Sequence, residues 1–365
     1  MLKKSFITGI IIMITLTGFI HPGCSDKSKN PASPAADEYP YDPPSSVPLD
    51  PFEQNKLLTR SVNLSTLEAP NEGDWGTMLT EEYFQLIKDI GFTAIRLPVR
   101  WSSHMNETPP FKIDQKFLQR VEWAVNQTLT RDLAIIVNSH HFDGIFDEPD
   151  TYREKFLASW EIIADHFKNY PDQVFFEILN EPHSNLNAAK WNPLLKDALS
   201  IIRKTNPGRT IVIGPDSWNA YNALSGLQLP VEDQNIIVTY HYYNPFQFTH
   251  QGAEWVDNSD PWLGTRWTNA FDERQEIENH FDSAVKWAQE HNRPLFMGEF
   301  GSYSKADNNS RFLWTRHVAR SAEARNISWA YWEFNAGFGV YNNEKNEWDP
   351  YLILALLEKK LDNND

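Results

Sequence analysis

The 365-residue chain has one cysteine, Cys24, and few basic residues: 33 Lys and Arg stand against 49 Asp and Glu, for a formal net charge of -16. A single cysteine cannot form an intrachain disulfide, so packing alone must hold the fold. The shortage of positive charge argues against a nucleic-acid-binding protein, because affinity for the phosphate backbone depends on Lys and Arg. A chain this acidic favours a neutral or cationic ligand instead.

Long apolar runs are also scarce, and the clearest one lies at the N-terminus. Lys3 and Lys4 precede an apolar run over about residues 6–20, which is too short for a comfortable membrane span and typical of a signal peptide. We therefore predict a signal peptide over residues 1–23 and an exported protein. The run ends at His21-Pro22-Gly23-Cys24, which resembles a bacterial lipobox with His21 at a position that usually holds Leu.

A lipobox implies a lipid on Cys24 and attachment to the outer membrane or cell surface; ordinary secretion is the alternative. Residues 24–51 are rich in Pro, Ser, Ala and Asp, which predicts a flexible tether between that lipid and a folded domain. Residues 52–365 contain no second low-complexity break and are predicted to form one domain. With 41% hydrophobic and 13% aromatic residues, the chain can bury a core.

Short β-rich apolar segments alternate with segments of helical period along this domain. Asp114 is a plausible N-cap for an amphipathic helix that carries Phe117, Leu118 and Val121 on one face. Eight such units predict an α/β fold, a (β/α)8 TIM barrel. An open doubly wound sheet is the alternative, although no Gly-rich phosphate loop follows the first strand. The predicted strands are 61–64, 94–98, 134–139, 174–179, 210–214, 236–240, 295–298 and 328–332.

Polar and aromatic side chains capable of chemistry follow the ends of these predicted strands. Active-site residues of such barrels lie at the C-terminal ends of the strands, so these side chains are expected to converge. The residues in question are Arg96, His140, His141, Asn180, Glu181, Trp218, His241, Tyr243, Glu299 and Trp332.

Glu181 and Glu299 lie at separate strand ends and are the pair that suggests a reaction. Cleavage of a glycosidic bond needs one carboxylic acid to protonate the leaving oxygen and one carboxylate to attack the sugar or activate water. Arg96 and Tyr243 are suitable donors for the ionised partner, and His241 is suited to tune the acid. A structural ion pair is the alternative interpretation of either glutamate.

Six short strings carry a resemblance to glycoside hydrolase family 5, of the cellulase type. The resemblance runs in order over about residues 55–340, and the loop 248–255 resembles the strand-six loop of a bacterial subgroup of endo-β-1,4-glucanases, some with mannanase activity. The strings are Ile95-Arg96-Leu97-Pro98, Asn138-Ser139-His140-His141, Leu179-Asn180-Glu181-Pro182, His241-Tyr242-Tyr243, Gly298-Glu299-Phe300-Gly301 and Trp329-Ala330-Tyr331-Trp332-Glu333.

The resemblance implies a retaining mechanism with Glu181 as acid/base and Glu299 as nucleophile. It also implies substrate-binding or supporting roles for Arg96, His140, His141, Asn180, His241, Tyr243 and Trp332. The expected substrate is a β-1,4-glucan and the expected state a monomer, with no cofactor and no metal. A β-mannanase, a xyloglucanase or a non-catalytic glycan-binding lipoprotein are the alternatives.

Fourteen tryptophans suit a sugar polymer, because pyranose rings pack their C–H faces on indole rings. Those predicted in loops beyond strand ends are Trp75, Trp101, Trp218, Trp255, Trp262 and Trp267, and Trp218 could equally be core packing. Glu254 is predicted to be a solvated charge. Glu333 could be either a buried partner of a barrel-core Arg or a substrate contact. A metal site at His140 and His141 is disfavoured, since adjacent strand residues point opposite ways.

Overall fold

Eight parallel strands form a closed barrel in the computed structural model, which describes residues 41–359. Each strand pairs with the next along the chain, and the eighth pairs with the first. The predicted (β/α)8 barrel is confirmed, and the open doubly wound sheet is wrong. The strands are β1 Arg60–Asn63, β2 Ala94–Leu97, β3 Ala134–Asn138, β4 Val174–Glu177, β5 Ile211–Ile213, β6 Ile236–Tyr242, β7 Leu295–Phe300 and β8 Ser328–Tyr331.

Helices surround the barrel, and a small hairpin follows the last barrel strand. The helical segments are α1 Pro51–Asn55, α2 Glu81–Ile90, α3 Gln115–Leu129, α4 Pro149–His166, α5 Ala188–Thr205, α6 Asp216–Asn219, α7 Phe246–Thr249, α8 Phe271–His291, α9 Asn308–Glu323 and α10 Pro350–Leu357. Segment α6 is a four-residue turn whose backbone is left-handed at Ser217 and Trp218 rather than α-helical. The antiparallel hairpin consists of β9 Tyr341–Asn342 and β10 Glu347–Trp348. Short 3-10 helices span Lys56–Leu58, Ser65–Glu68, Trp101–His104, Tyr221–Gly226 and Asp260–Trp262.

Helix α3 shows how local sequence sets these boundaries. The Asp114 carboxylate accepts a hydrogen bond from the Phe117 N–H at 3.0 Å, which satisfies one of the free donors at the helix start. Phe117, Leu118 and Val121 are buried, as their spacing predicts. The amphipathic helix expected from this segment is confirmed.

The lower part of the barrel lumen is filled by apolar side chains. Alternate residues of a strand face the same side, so Ala94 and Arg96 both face the lumen, as do Phe175 and Glu177. The buried apolar cluster consists of Leu58, Ala94, Ala134, Ile136, Phe175, Val212, Ile237, Phe296 and Ala330. The polar mouth of the barrel therefore rests on a packed hydrocarbon floor.

Strands β6 and β7 run two residues further than predicted, to Tyr242 and Phe300. The pairing register shifts between Tyr240 and His241, so His241 pairs with Glu299. The prediction ended each strand where polar residues begin. The polar residues His241 and Glu299 are still paired through their backbones, and their side chains lie close together at the barrel mouth, with His241 Nδ1 3.5 Å from Glu299 Oε2.

The described part of the predicted tether contacts the barrel domain. The Ser45 N–H donates to the Asp172 carboxylate at 3.0 Å, and Asp50 accepts from the Phe52 N–H at the start of α1. The packed chain therefore begins before residue 52. The predicted signal peptide, Cys24 and residues 24–40 of the tether lie outside the described residues. None of the helices within residues 41–359 combines the length and the apolar character needed to cross a membrane.

Candidate active site

Arg96 lies fully buried at the centre of the barrel mouth, and all five of its N–H groups have acceptors. Nε and Nη2 donate to the two carboxylate oxygens of Glu177, each at 2.7 Å. Nη1 donates to Glu299 Oε1 at 2.7 Å and to Asn63 Oδ1 at 2.8 Å. The second Nη2 bond reaches Asn180 Oδ1 at 2.7 Å. Burial alone would lower the pKa of Arg96, but the two carboxylates raise it overall, so the side chain is a fixed cation.

Glu299 receives two strong donors at the end of β7. Arg96 binds Oε1, and the Tyr243 hydroxyl donates to Oε2 at 3.0 Å. Burial raises the pKa of Glu299 to about 7, against the opposing effects of His241 and Arg96. Both donors stabilise the ionised form and hold the carboxylate in one orientation.

Glu181 lies in the loop that follows β4 and has a backbone φ of +46°. A left-handed φ is unfavourable for a residue with a side chain and is concentrated at functional sites. The ring of His241 bonds to Glu181 Oε1 through Nδ1 at 2.6 Å. Burial raises the pKa of Glu181 to about 7, with Arg96 opposing. Its side chain remains 24% exposed, so a ligand can reach it.

The two carboxylates face each other across the barrel mouth. One oxygen of Glu181, one of Glu299 and a ring nitrogen of His241 all lie within 4.8 Å of one another. Carboxyl groups about 5–5.5 Å apart suit covalent attack on a sugar, whereas inversion needs about 6.5–9.5 Å to admit a water. Glu299 accepts from Arg96 and Tyr243, whereas Glu181 is bonded to His241, so the surroundings favour the ionised form more strongly at Glu299 than at Glu181.

His140 and His141 do not point opposite ways, so that expectation is wrong. Glu68 Oε1 lies 2.8 Å from His141 Nε2 and 3.7 Å from His140 Nε2. Strand β3 ends at Asn138, and the alternation of a strand no longer applies two residues later. Burial alone would lower the pKa of His141, but its bond to Glu68 raises that pKa above the ordinary value.

Three side chains with metal-ligating atoms thus meet here, yet their hydrogen bonds oppose metal binding. The Asn138 amide accepts from the Val99 N–H at 3.1 Å, so its Nδ2 is the group that donates to His140 Nδ1 at 3.2 Å. Neutral His140 then carries its proton on Nε2, the nitrogen that faces Glu68. Burial lowers the pKa of His140 well below the ordinary range, which keeps the ring neutral. In this tautomer the His140 nitrogen on the Glu68 side carries a proton, whereas a metal ligand would need a free lone pair there.

Trp332 and Glu333 follow β8 and face different surroundings. The Trp332 ring stacks on His140 with ring centroids 5.4 Å apart and planes 9° from parallel. Glu333 is buried and accepts a hydrogen bond from the Ser65 hydroxyl. Burial raises the pKa of Glu333 to about 7. The suggestion that Glu333 pairs with the barrel-core Arg is wrong, because Arg96 is saturated by other partners.

The loop tryptophans divide into exposed and buried sets. Trp75, Trp218 and Trp255 are 56%, 56% and 59% exposed. Trp262 is half-buried. Trp101 and Trp267 are buried, so their prediction as groove residues is wrong.

Trp101 illustrates why residues after a strand need not face the groove. Its indole N–H donates to the Asn138 carbonyl at 2.9 Å, and its ring meets Phe117 of α3 edge to face. The helix packs over this segment and excludes it from solvent. A predicted loop position therefore does not by itself establish exposure.

Two cavities open beside Glu181 and share Trp218 as a wall. The first, of 570 Å³, is also lined by His241, Tyr243 and Trp255. The second, of 410 Å³, is also lined by Asn180, His141 and His183. This open, aromatic-walled depression suits an extended polar ligand with flat apolar faces.

Glu254 stands beside Trp255 on the loop after β6. Its side chain is 64% exposed, and it is paired with Lys305 at 2.6 Å. The Tyr303 hydroxyl also donates to it at 2.6 Å. The bond from Lys305, and then that from Tyr303, lowers the pKa of Glu254 to about 2. Glu254 is thus an exposed but paired carboxylate.

Sequence reasoning missed several residues of this network. Glu177 is the clearest case, since it is the one charged residue of the apolar strand β4 and is fully buried. A lone charge at an inward strand position was the available signal. Asn63 and Glu68 had no comparable signal, because their partners Arg96 and His141 lie 33 and 73 residues further along the chain.

The family model for cellulase, glycosyl hydrolase family 5, matches residues 54–337. The chain belongs to glycosyl hydrolase family 5. Among curated relatives, Endoglucanase H of Acetivibrio thermocellus is 37% identical over 324 residues, which cover 86% of this chain and 34% of that protein. The chain thus spans about a third of that relative's own length.

Solved structures of the family match over nearly their full length. Thermotoga maritima Cel5A in complex with cellobiose superposes with a TM-score of 0.83 and 48% identity, covering 84% of this chain and 100% of that one. The mannotriose complex of the same enzyme matches with a TM-score of 0.83 and 47% identity, over 84% and 100% of the two chains. The resemblance identified from the six strings is confirmed.

Proposed function

We propose that the chain is a retaining endo-β-1,4-glucanase that hydrolyses β-glucan polysaccharides by double displacement. The observation that carries the proposal is the pair of carboxylates, Glu181 and Glu299, within 4.8 Å of each other beneath an open groove. Membership of family 5 and the likeness to Endoglucanase H support the same activity.

Glu299 is the nucleophile in the first step. Its carboxylate attacks the anomeric carbon while the bond from that carbon to the leaving oxygen breaks, and Glu181 gives its proton to that oxygen. The result is a glycosyl ester on Glu299 and a shortened chain with a free hydroxyl.

Water completes the second step. Glu181, now ionised, takes a proton from the attacking water as the ester bond to Glu299 breaks. The proton count is restored, and the configuration at the anomeric carbon is retained. Glu299 is again a carboxylate after this step, and Arg96 and Tyr243 donate hydrogen bonds to its two oxygens.

Surrounding residues supply binding rather than bond cleavage. Trp332 offers a flat face beside the carboxylate pair, and its stacking on His140 fixes the ring plane. The side-chain carbonyl oxygen of Asn180 accepts a hydrogen bond from Arg96. The amide N–H groups of Asn180 can therefore donate to a sugar hydroxyl. His141, held by Glu68, is exposed enough at 40% of its side chain to contact the same ligand.

Purified protein should release reducing ends from carboxymethyl-cellulose and lichenan, with a rapid fall in viscosity that marks cuts within the chain. Glucomannan and xyloglucan belong in the same assay, since Thermotoga maritima Cel5A has been solved with mannotriose. Glu299→Ala is the inactive control, and Asn55→Asp at the opposite end of the barrel is the matched active control. Binding of these glycans without release by the wild-type protein would instead support a glycan-binding lipoprotein.

We propose further that the protein is exported, cleaved before Cys24, anchored by a lipid on that residue, and monomeric. The basic start, the apolar run and the sequence His21-Pro22-Gly23-Cys24 support export and acylation. Metabolic labelling with a radioactive fatty acid should mark the wild-type chain but not Cys24→Ser. Analytical ultracentrifugation of residues 41–365 tests the monomer, and a concentration-dependent dimer would contradict it.

A further inference from the structure

Three consecutive residues after β5 adopt left-handed backbone conformations. Ser217, Trp218 and Asn219 have φ values of 58°, 58° and 53°. A left-handed backbone is unfavourable for a residue with a side chain, so the surroundings must hold the turn in place. The Trp218 N–H donates to the Pro182 carbonyl at 3.1 Å, which ties this turn to the loop that carries Glu181.

The turn directs two neighbouring side chains to opposite environments. Trp218 is 56% exposed and stacks in parallel on His183 at 4.9 Å. Asn219 is 0% exposed and enters the barrel mouth. Space for it is left by Gly214, since a Cβ there would lie 2.3 Å from Asn219 Oδ1.

Asn219 meets the ring of His241 inside the barrel. Its Nδ2 lies 3.4 Å from His241 Nε2, and Ala220 forms a backbone bridge to His241. Gly298 of β7 also lies close to the ring, since a Cβ there would be 3.1 Å from Nε2. The ring is therefore held between β7 and the left-handed turn.

These contacts determine where the neutral ring carries its proton. An amide nitrogen only donates, so His241 Nε2 accepts from Asn219 and the proton lies on Nδ1. Nδ1 is the atom 2.6 Å from Glu181 Oε1, so it donates to that carboxylate. Burial lowers the pKa of His241 to about 4, which leaves the ring neutral at ordinary pH.

Charged and titratable groups from other elements also face Glu181 and His241. They are Glu68 after β1, Arg96 on β2, His140 and His141 after β3, Glu177 on β4, His183 after β4, Tyr243 after β6 and Glu299 on β7. Among the described residues, the one side chain shown bonding to His241 Nε2 is that of Asn219. The tautomer of the ring thus depends on this amide.

We propose that Asn219 is a positioning residue: it fixes the Nδ1–H tautomer of His241 and thereby sets the pH range in which Glu181 keeps its proton. The proposal rests on the proposed role of Glu181 as acid/base. Trp218 and Asn219 are adjacent, so the same strained turn shapes both the sugar-facing wall and the proton-bearing site.

Two substitutions should move the basic limb of the pH profile of kcat/KM in opposite directions. Asn219→Asp places a carboxylate against Nε2 and draws a second proton onto the ring. The resulting cation beside Glu181 lowers the pKa of that acid, so activity is lost at lower pH.

Asn219→Ala removes the donor to His241 Nε2, which allows Nε2 to carry the proton and Nδ1 to accept from Glu181. The acid then holds its proton to higher pH, and kcat falls because the proton is directed away from the substrate. We expect limb shifts of about one pH unit each, equivalent to a tenfold change in the ionisation constant.

The tautomer itself can be read from the wild-type protein without any variant. Two-bond proton–nitrogen correlation spectra of ¹⁵N-histidine-labelled protein, with His241 assigned through His241→Gln, should show a protonated Nδ1 and an unprotonated Nε2. Asn55→Asp, the same isosteric change in a buried amide at the far end of the barrel, is the control: it should lower the melting temperature without moving the limb. A protonated Nε2 in the wild type, or limb shifts of the same sign in both Asn219 variants, would overturn the proposal.

Failure of the underlying function has a different signature. If Glu181→Gln retains the wild-type basic limb, Glu181 is not the acid that this limb reports, whatever the tautomer of His241. If Glu181→Gln abolishes the limb while the spectra show a proton on Nε2, the function stands and the role of Asn219 is wrong.

Discussion

Residues two apart on the same barrel strands build two different regions of the lumen. Ala94 and Phe175 belong to the apolar floor, whereas Arg96 and Glu177, one alternation later, form the buried ion pair of the mouth. The floor is stabilised by removal of apolar surface from water. The mouth holds charges whose burial is unfavourable and is offset only by complete pairing. The floor thus supplies stability, while the mouth carries the chemistry.

The largest effect should come from the mouth, at Glu299. Glu299→Ala removes the proposed nucleophile and should reduce kcat on carboxymethyl-cellulose by roughly 10⁴- to 10⁶-fold. The variant should still fold, because Arg96 keeps its bidentate pair with Glu177, but the acceptor lost at Arg96 Nη1 should lower the melting temperature. Partial recovery with added azide, giving a glycosyl azide, would identify the missing group. Unchanged turnover would contradict the assignment of the reaction to the mouth of the barrel.

Glu181→Ala should separate substrates by their leaving groups. A natural glucan needs its leaving oxygen protonated and should lose about 10²- to 10⁴-fold in rate, whereas an activated aryl cellobioside should lose far less in the glycosylation step. Pre-steady-state release of the aryl group measures that step. Equal losses on both substrates would contradict an acid role for Glu181.

Phe175→Ala tests the floor. Truncating this fully buried ring should destabilise the protein by about 3–5 kcal/mol, because a cavity remains in the lumen. Urea unfolding measures the change, and Tyr351→Ala on an exposed helix position is the matched control. At a temperature where the variant stays folded, kcat/KM should be near the wild-type value. A loss of activity without a loss of stability would show that the two regions are not separable.

An exposed and a buried tryptophan allow the same comparison of binding against stability, with smaller expected effects. Trp255→Ala removes a groove face and should raise KM for a glucan by about 2- to 10-fold, with little change in the melting temperature. Trp101→Ala should instead lower the melting temperature, because that ring is buried against Phe117. Reversed outcomes would mean that exposure does not mark the ligand-facing set.

The smallest expected effect is a pH dependence of stability at Glu333. Its pKa of about 7 lies above the ordinary 4.5, so the folded protein binds this proton more tightly and loses stability as the pH rises from about 4.5 to 7. Glu333→Gln stays neutral and should show a smaller fall in melting temperature over that window. Scanning calorimetry at several pH values measures the difference. Parallel curves for both proteins would show that Glu333 ionises freely when folded.

The barrel and its central carboxylate pair were predictable because both follow from local patterns. Eight alternations of strand and helix fix the topology, and parallel strands bring their C-terminal ends to one rim, so Glu181 and Glu299 had to converge. The family resemblance added the expectation that Glu181 is the acid/base and Glu299 the nucleophile. Neither inference needed knowledge of side-chain packing.

The remaining features depend on contacts between distant segments. Trp101 is buried because α3 covers it, and Glu177 matters because Arg96 arrives from another strand. His140 and His141 meet Glu68 together because the strand has already ended. Asn219 enters the barrel through a left-handed turn, and the sequence does not predict that turn because it contains no glycine there. Spacing along the chain contains none of this information.

The complete set of hydrogen bonds made by Arg96 also fixes the charge balance beneath the proposed sugar site. One guanidinium faces the carboxylates of Glu177 and Glu299, so when both are ionised this cluster carries one excess negative charge out of reach of bulk water. A neutral ring entering the site gains little from that charge, but a ring that becomes oxocarbenium-like as its bond breaks gains much more. Protonated nitrogen-containing sugar mimics should therefore bind more tightly than their neutral oxygen counterparts.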